Sequence, residues 1–339
     1  MTEQLKPDTF EILDPFTTSD RLSEGIPPHA ATALQGLKHV LLARLEEARL
    51  GGHVYWNRDE IVDRPVDIDG LAGKVRYIPT FAYRKAVYDQ RPACPCSLCG
   101  VLESRDNVIT LPDKDADSDF MDKFNDSFAL GFNNFPYFDG QLLLTVRQHR
   151  ELFTRNQYGL IFDFMERTKF AGAAIQLHGS GATIPEHAHI SLFDEVLPIF
   201  SSEYRPLKEK DGVVVSASTE HPSVCYKIDG ESKGAKLDRT TAILDELLRL
   251  GLSFNLYFDS QSSAYVIPRT NRRARSIDMK VGSPLAAGVY YGYVEYSNTS
   301  DIELLKQEIW QRCQEITGKE LAAALKETTV QGEDPAAIL

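Results

Sequence analysis

The chain has 339 residues, of which 42% are hydrophobic and 25% charged, a composition typical of a globular protein with one large domain or two fused halves. Its 49 acidic and 37 basic residues give a net charge of −12, which argues against long nucleic acids as partners. No apolar run approaches the ~20 residues of a membrane span, and residues 1–7 lack the features of a secretory signal. We therefore expect a cytoplasmic protein that does not enter the membrane.

The first third of the chain alternates between polar segments and short apolar patterns. Residues 1–30 contain scattered prolines and threonines and are predicted to form an extended arm on the protein surface. Leucines at helical spacing predict an amphipathic helix over residues 30–51, ended by a Gly-Gly pair. Alternation over residues 74–88 predicts one or two strands, whereas the acidic residues 104–123 are typical of a surface loop.

The middle of the chain carries the strongest local signals for secondary structure. Residues 128–149 predict a β-hairpin, because Asp139-Gly140 between two apolar runs is a strong turn sequence. A helix over residues 156–171 and a strand over residues 173–177 follow from the spacing of their apolar side chains.

A glycine-containing loop then leads into residues 187–193, whose alternation predicts another strand. Side chains two apart on a strand share a face, so His187, His189 and Ser191 are expected to point the same way. The backbone N–H groups of residues 181–183 could turn toward a bound phosphate, as glycine-rich loops do. A neutral imidazole beside such a loop is suited to nucleophilic attack on phosphorus.

The C-terminal half reads as a second set of strands and helices after a charged connection at residues 201–212. We predict strands at 213–217, 224–228, 252–258, 264–268 and 287–296, and helices at 238–250 and 301–316. Residues 254–271 repeat the layout of residues 132–149 at equal spacing, which favours a duplicated fold. The chain after Lys326 is predicted to fray.

Three of the five cysteines cluster in Cys94-Pro95-Cys96-Ser97-Leu98-Cys99. An odd number of cysteines clustered in this way favours metal binding over disulfides in a cytosolic chain. Cys96 and Cys99 have the Cys-x-x-Cys spacing of a structural zinc site. Cys94 could supply a third thiolate, and that alternative stays open.

Several of these segments together resemble the histidine-triad superfamily. Gly181-Ala182-Thr183, Pro185 and His187-Ala188-His189-Ile190-Ser191 are similar to the signature of one branch, that of galactose-1-phosphate uridylyltransferase and nucleoside-diphosphate-sugar phosphorylases such as GDP-L-galactose phosphorylase. The order hairpin, helix, strand, loop and histidine strand matches the plan of that fold.

The resemblance implies an α+β histidine-triad (HIT-like) fold, an antiparallel sheet with flanking helices in two related halves. On this plan, residues 1–30 form the N-terminal arm, and residues 31–205 form a catalytic half with a zinc site. Residues 206–330 form a second, degenerate half, and residues 331–339 form a tail.

The resemblance also implies a nucleotidyltransferase or phosphorylase acting on a nucleoside diphosphate sugar or a dinucleotide. His189 falls on the nucleophile that forms a nucleotidyl-histidine, with His187 and Ser191 as its catalytic neighbours. Phosphate or a sugar phosphate would accept the nucleotide, and the relatives are compatible with a homodimer. The predicted nucleotide- and phosphate-binding residues are Arg84, Asn133, Arg147, His178, Ser180, Gly181, Ala182, Thr183 and Arg269.

Two further expectations come from the same relatives. Their zinc ligands correspond to Cys96, Cys99, His149 and His187, which implies a structural zinc ion. Their glutamine two residues after the nucleophile is replaced by Ser191, a departure that suggests an altered substrate. The alternatives are a nucleotide hydrolase of the same fold, with water as acceptor, and a zinc-stabilised nucleotide-binding protein without turnover.

Overall fold

The computed structural model describes residues 35–84, 96, 98–99, 108–109, 118–177, 180, 182, 184–270, 283–291 and 301–331. The predicted N-terminal arm and most of the predicted C-terminal tail lie outside these residues.

Most of the strands form one large antiparallel sheet. In spatial order its strands are β3 (Val108–Ile109), β4 (Phe128–Phe132), β5 (Leu142–Val146), β7 (His189–Phe193), β6 (Gly172–Gln176), β11 (Ser253–Asp259), β12 (Ala264–Arg269), β10 (Tyr226–Gly230), β9 (Val213–Ser218) and β8 (Tyr204–Lys210). The strands of the N-terminal part lie on one side of the sheet and those of the C-terminal part on the other. The two groups meet where β6 pairs with β11.

A second, smaller sheet contains β1 (Val62–Ile68), β2 (Leu71–Tyr77) and β13 (Val289–Tyr291). β1 is antiparallel to β2, whereas β13 runs parallel to it. The helices are α1 (Gln35–Leu50), α2 (Ser118–Ser127), α3 (Arg155–Thr168), α4 (Lys233–Arg249), α5 (Ser283–Ala286), α6 (Ile302–Glu315) and α7 (Gly318–Thr328). Within the described ranges, none of these helices has the length and apolarity needed to cross a membrane.

The central strands of the large sheet are buried on both faces. Ile190 and Leu192 of β7 belong to a core cluster that also contains side chains of α1, α2, α3 and α4. Phe193 of the same strand belongs to a second cluster, with side chains of β2, α6 and α7. Because side chains alternate along a strand, His189 and Ser191 share the face of Phe193 and point toward the layer formed by the small sheet and the C-terminal helices.

The β4–β5 hairpin forms as the sequence predicts. Gly140 has a φ of 65°, a left-handed conformation that favours glycine at the turn. The Gln141 side chain closes the turn, since its Oε1 accepts hydrogen bonds from the N–H groups of Tyr137 (2.8 Å) and Phe138 (3.3 Å). Pairing of β5 with β7 then places the end of the hairpin beside the histidine strand.

Four predicted boundaries are wrong. The first strand prediction extends too far, because β2 ends at Tyr77 and a 3₁₀ turn follows at Pro79–Tyr83. Part of the predicted acidic loop is helix α2, whose Phe124 stacks on Phe164 with ring centres 4.8 Å apart. Strand β8 lies where a connection was predicted at 201–212. The chain also stays ordered just after residue 326, where it was predicted to fray, because α7 continues to Thr328 and Thr329 bridges to Arg269.

A fifth correction concerns the histidine pair. Strand β7 begins at His189, so His187 precedes it rather than lying on its face. The expectation that His187 shares one strand face with His189 and Ser191 is therefore wrong, and the two histidines reach different groups.

Candidate active site and metal centre

His189 lies in a row of polar residues that crosses the large sheet. It pairs with Thr145 of β5. On its other side, the pairing of Ile175 with Ile190 places Gln176 of β6 directly opposite His189. Gln176 in turn pairs with Asn255 of β11. Directly paired residues of an antiparallel sheet share a face, so these polar side chains adjoin one another.

The imidazole of His189 is held by the backbone of the other histidine. Its Nδ1 lies 2.8 Å from the carbonyl oxygen of His187, as expected for an N–H that donates to this oxygen. With the proton on Nδ1, the lone pair is on Nε2. Burial lowers the pKa of His189, although the hydrogen bond to the backbone opposes this effect. The half-buried ring is thus oriented as a neutral imidazole.

Four cysteine and histidine side chains converge beside the start of β7. The ligand atoms of Cys96, Cys99, His149 and His187 all lie within 4.8 Å of one another. His187 Nδ1 is 3.3 Å from Cys96 Sγ and 3.5 Å from Cys99 Sγ, and His149 Nδ1 is 3.1 Å from Cys99 Sγ. Metal–ligand bonds of about 2.0–2.3 Å in a tetrahedron place ligand atoms at similar separations. These four residues lie close enough to hold a metal ion.

A hydrogen bond to the backbone also orients the His187 ring so that it could bind a metal ion. Its Nε2 lies 2.6 Å from the carbonyl oxygen of Val146, at the end of β5. A proton on Nε2 leaves the lone pair on Nδ1, the atom that faces the cysteines. Histidine ligands commonly donate their second ring N–H to a carbonyl in this way, which fixes the tautomer and the ring orientation.

Ser191 lies two residues after His189 on strand β7. Its side chain is 3% exposed. Its Oγ accepts a hydrogen bond from Gln141 Nε2 at 3.0 Å and lies 3.3 Å from the hydroxyl of Tyr137. The hydroxyl of Ser191 is therefore engaged with side chains from the β4–β5 hairpin.

A buried chain of hydrogen bonds supports the loop before His189. Ser180 Oγ accepts from the N–H of Leu177 at 2.7 Å, and Asn255 Nδ2 donates to the carbonyl of Ser180 at 3.0 Å. Arg269 donates to Asn255 Oδ1 at 2.7 Å and to the carbonyl of Thr328 at 3.0 Å. Arg269 is only 1% exposed, and burial lowers its pKa to about 10. The guanidinium thus joins the loop to the end of α7.

The other predicted binding residues are placed as follows. Asn133 Oδ1 accepts from the N–H of Phe135, Arg84 lies over the ring of Phe81, and Arg147 is exposed and donates to the carbonyl of Asn125. Ala182 is buried. His178, Gly181, Thr183 and the alternative ligand Cys94 lie outside the described residues.

The sequence did not single out Tyr137, Gln141 or Gln176 as site residues. All three meet around Ser191, since Gln176 Nε2 donates to the hydroxyl of Tyr137 at 3.0 Å. The spacing of apolar residues predicts strands, but pairing between distant strands decides which polar side chains become neighbours. The one available signal was that Gln176 is the next-to-last residue of the strand predicted over residues 173–177, beside the loop.

Comparison with known proteins identifies the fold. No protein-family model matches the chain, and no curated protein matches it. Three solved structures of yeast Ap4A phosphorylase Apa2 do match: the complex with Ap4A (TM-score 0.54, 11% identity, 86% of this chain and 97% of that one), the complex with AMP (0.54, 12%, 88% and 98%), and a third described without a ligand (0.53, 11%, 89% and 97%). At such low identity the likeness shows the fold alone. The predicted α+β fold with a large antiparallel sheet is therefore confirmed, and it resembles the fold of the Ap4A phosphorylase Apa2.

Proposed function

We propose that this protein is a nucleotidyl-transferring phosphorylase that works through a covalent intermediate on His189. The orientation of His189 is the observation that carries the proposal. Its Nδ1 is fixed on the carbonyl of His187, which leaves Nε2 as the nucleophilic atom on the sheet face that His189 shares with Ser191. A neutral, oriented imidazole next to a phosphate-binding loop is suited to attack on phosphorus.

Two displacements complete the reaction. Nε2 of His189 forms a bond to the α-phosphorus, and the bond between that phosphorus and the bridging oxygen breaks. The electron pair of the broken bond leaves with the departing phosphate product. Inorganic phosphate or a sugar phosphate then attacks the same phosphorus, and the P–N bond breaks to return its electron pair to Nε2. Positioning and electrostatic stabilisation supply most of the catalysis in such transfers.

The substrate class favoured by the fold is a dinucleoside polyphosphate. The likeness to an Ap4A phosphorylase in complex with Ap4A and with AMP supports this choice. A nucleoside diphosphate sugar, favoured by the sequence resemblance, is the other donor to test. Both donors present an α-phosphorus whose leaving group is a phosphate, so His189 would have the same role with either.

We propose that the ion held by Cys96, Cys99, His149 and His187 is zinc. Two thiolates and two imidazoles within 4.8 Å form a set that zinc prefers in structural sites, and the second nitrogen of His187 is already bonded to the backbone. When bound, the ion would cross-link the cysteine segment to the residues before β7. Its role would be to hold His187, whose carbonyl orients His189.

The presence of Ser191, where the relatives suggested by the sequence have a glutamine, supports a second candidate function. The buried hydroxyl is bonded within the protein, so the site could bind a nucleotide without transferring it. Hydrolysis, with water as acceptor, is the third outcome. Formation of a nucleoside diphosphate only in the presence of phosphate would separate a phosphorylase from a hydrolase.

Intact-protein mass spectrometry tests the proposal. The wild type and His189→Asn are mixed with Ap4A, and in parallel with separate nucleoside diphosphate sugars. We expect the wild type to gain one nucleoside monophosphate that phosphate removes, and His189→Asn to gain none. His39→Asn, an exposed position on α1, is the matched control and should form the adduct as the wild type does.

The result also names the donor, because only the accepted donor leaves its nucleotide on the protein. A wild type that binds nucleotide but forms no adduct with any donor would contradict the proposal in favour of the binding protein. Release of the adduct by water as quickly as by phosphate would identify a hydrolase.

A further inference from the structure

The replacement of the family glutamine by Ser191 leaves a chemical role open beside His189. A glutamine at that position could offer a side-chain N–H to the phosphate, whereas the serine is short. The serine is also buried and bonded to Gln141 and Tyr137. A donor for the phosphate therefore has to come from another strand.

Gln176 stands in the right place to supply it. It is directly opposite His189 on the neighbouring antiparallel strand, as the pairing of Ile175 with Ile190 requires. Opposed side chains on one face have Cβ atoms about 4.5–5.5 Å apart. A group bonded to Nε2 of His189 would thus lie within reach of the longer Gln176 side chain, which is half-buried rather than sealed in the core.

The Gln176 amide is also oriented. Its Nε2 donates one hydrogen bond to the hydroxyl of Tyr137 at 3.0 Å. Tyr137 is itself held in place, since its ring stacks on Tyr291 with centres 5.4 Å apart and its backbone N–H donates to Gln141. An amide nitrogen carries two N–H groups, so Gln176 can donate a second hydrogen bond to a ligand oxygen.

We propose that Gln176 takes over the role of the missing glutamine and donates to a non-bridging oxygen of the phosphorus that His189 attacks. Tyr137 acts as a positioning residue that aims this amide. The assignment rests on the proposed nucleotidyl transfer and names a residue that acts in it. Negative charge grows on the non-bridging oxygens during transfer, so a fixed N–H there stabilises the transition state more than the bound substrate.

The test compares the rate of adduct formation with Ap4A, in a single turnover followed by intact mass, between the wild type and variants. Gln176→Met keeps the length of the side chain but removes the donor, and removal of one such donor slows the chemical step by about 100-fold. Tyr137→Phe keeps the ring but removes the hydroxyl that orients the amide, and we expect a smaller loss. Gln311→Met, at an exposed position of α6, is the matched control and should react like the wild type.

Two further measurements exclude a merely structural effect. We expect the dissociation constant of AMP to change much less than the rate of adduct formation, and the thermal midpoint of Gln176→Met to stay near that of the wild type. Ser191→Ala, tested in parallel, should lose far less activity than Gln176→Met.

The outcomes separate this assignment from the function on which it rests. Absence of any adduct on the wild type would overturn the proposed function and this role together. An adduct that forms on Gln176→Met as quickly as on the wild type would overturn the role of Gln176 alone. A large loss in Ser191→Ala with none in Gln176→Met would assign the donor to Ser191.

Discussion

Two histidines separated by a single residue face different tasks because the strand begins between them. His187 precedes β7 and turns its Nδ1 toward the cysteines, whereas His189 is the first residue of the strand and joins the polar row on the sheet. The backbone connects them, because the carbonyl of His187 holds the ring of His189. A metal ion bound to His187 would therefore also fix the orientation of His189, the proposed nucleophile.

The cluster of Cys96, Cys99, His149 and His187 predicts that replacement of one of its cysteines lowers the metal content of the protein. Replacement of Cys99 by serine removes one of the four candidate ligands. Loss of a residue that only orients a metal ligand costs about 10–100-fold in affinity, so the loss of a ligand itself should cost at least as much. We expect purified wild type to carry about one metal ion per chain by elemental analysis, and Cys99→Ser to carry much less.

Cys313 provides the control, because it is buried near Arg76, away from the cluster. Cys313→Ser should keep its metal even if its stability falls. A Cys99→Ser protein with a full complement of metal would contradict the site. Analysis of the bound element tests the identification as zinc at the same time.

At the scale of secondary-structure elements, an ion-pair cluster fastens the small sheet to the end of β7. Arg76 of β2 is 1% exposed and donates to Asp63 and to Glu195, with the shortest contacts at 2.7 Å. Lys74 also pairs with Glu195. Burial by itself would raise the pKa of Glu195, but the hydrogen bonds and charges of Arg76 and Lys74 outweigh it and lower the pKa.

The lowered pKa of Glu195 predicts how the stability of the protein depends on pH. A carboxyl group whose pKa is lower in the folded state stabilises the fold above its unfolded pKa, near 4.5 for a glutamate. This contribution is lost as the pH falls through the lower, folded value. Glu195→Gln removes it and leaves Arg76 with one carboxylate fewer, so we expect a loss of about 3 kcal/mol in the free energy of unfolding at pH 7.

Urea titrations at several pH values measure this effect. The difference in stability between wild type and Glu195→Gln should stay constant from pH 7 to about pH 5 and shrink below the unfolded pKa. Glu303→Gln is the control, since Glu303 is an exposed partner of Lys306. A difference that persists unchanged at pH 3 would show that the carboxylate charge of Glu195 is not what stabilises the sheet.

Elements with strong local signals could be predicted from the sequence, and those defined by packing could not. The β4–β5 hairpin followed from Asp139-Gly140. Strands β1 and β8 were missed because their exposed faces carry charged residues and proline, which mask the alternation. Helix α7 had a readable start, since Thr317 and Glu320 form a capping box.

The candidate site also contains residues that could be predicted from the sequence and contacts that could not. The metal cluster could be predicted because the resemblance covers all four of its ligands, although they lie on three separate segments. The contacts of Ser191 could not be predicted, because they depend on the register of β5 and β6 against β7. Side chains that meet across strands, such as Gln176 and His189, are set by pairing that no local pattern specifies.

At the scale of the whole molecule, the sheet is continuous from the histidine strand to the C-terminal strands, and the end of α7 is hydrogen-bonded to it. β6 and β11 pair at the seam, where Asn255 faces Gln176. Arg269 then bridges Asn255 to Thr328 at the end of α7. The C-terminal helix and the loop before His189 are thus connected through a single buried guanidinium.

This connection predicts that one substitution loosens two distant segments. Arg269→Met keeps much of the buried volume but leaves Asn255 Oδ1 without this donor, and an unsatisfied buried acceptor costs about 1–3 kcal/mol. The carbonyl of Thr328 loses the same donor but still accepts from the N–H of Thr270 at 3.1 Å. We expect faster amide hydrogen exchange at Ser180, whose carbonyl accepts from Asn255, and at Thr329 and Val330, which follow α7. Peptides from β3, at the far edge of the sheet, should exchange as in the wild type, because five strands separate β3 from β12, which carries Arg269.

Arg249→Met, at an exposed position on α4, is the matched control and should leave every segment unchanged. Faster exchange at Thr329 and Val330 with an unchanged rate at Ser180 would mean that Asn255 holds the loop without Arg269. A uniform rise over the whole chain would instead indicate global destabilisation. Only a paired rise at the two ends of the hydrogen-bond chain fits a guanidinium that transmits order from the C-terminal helix to the loop before His189.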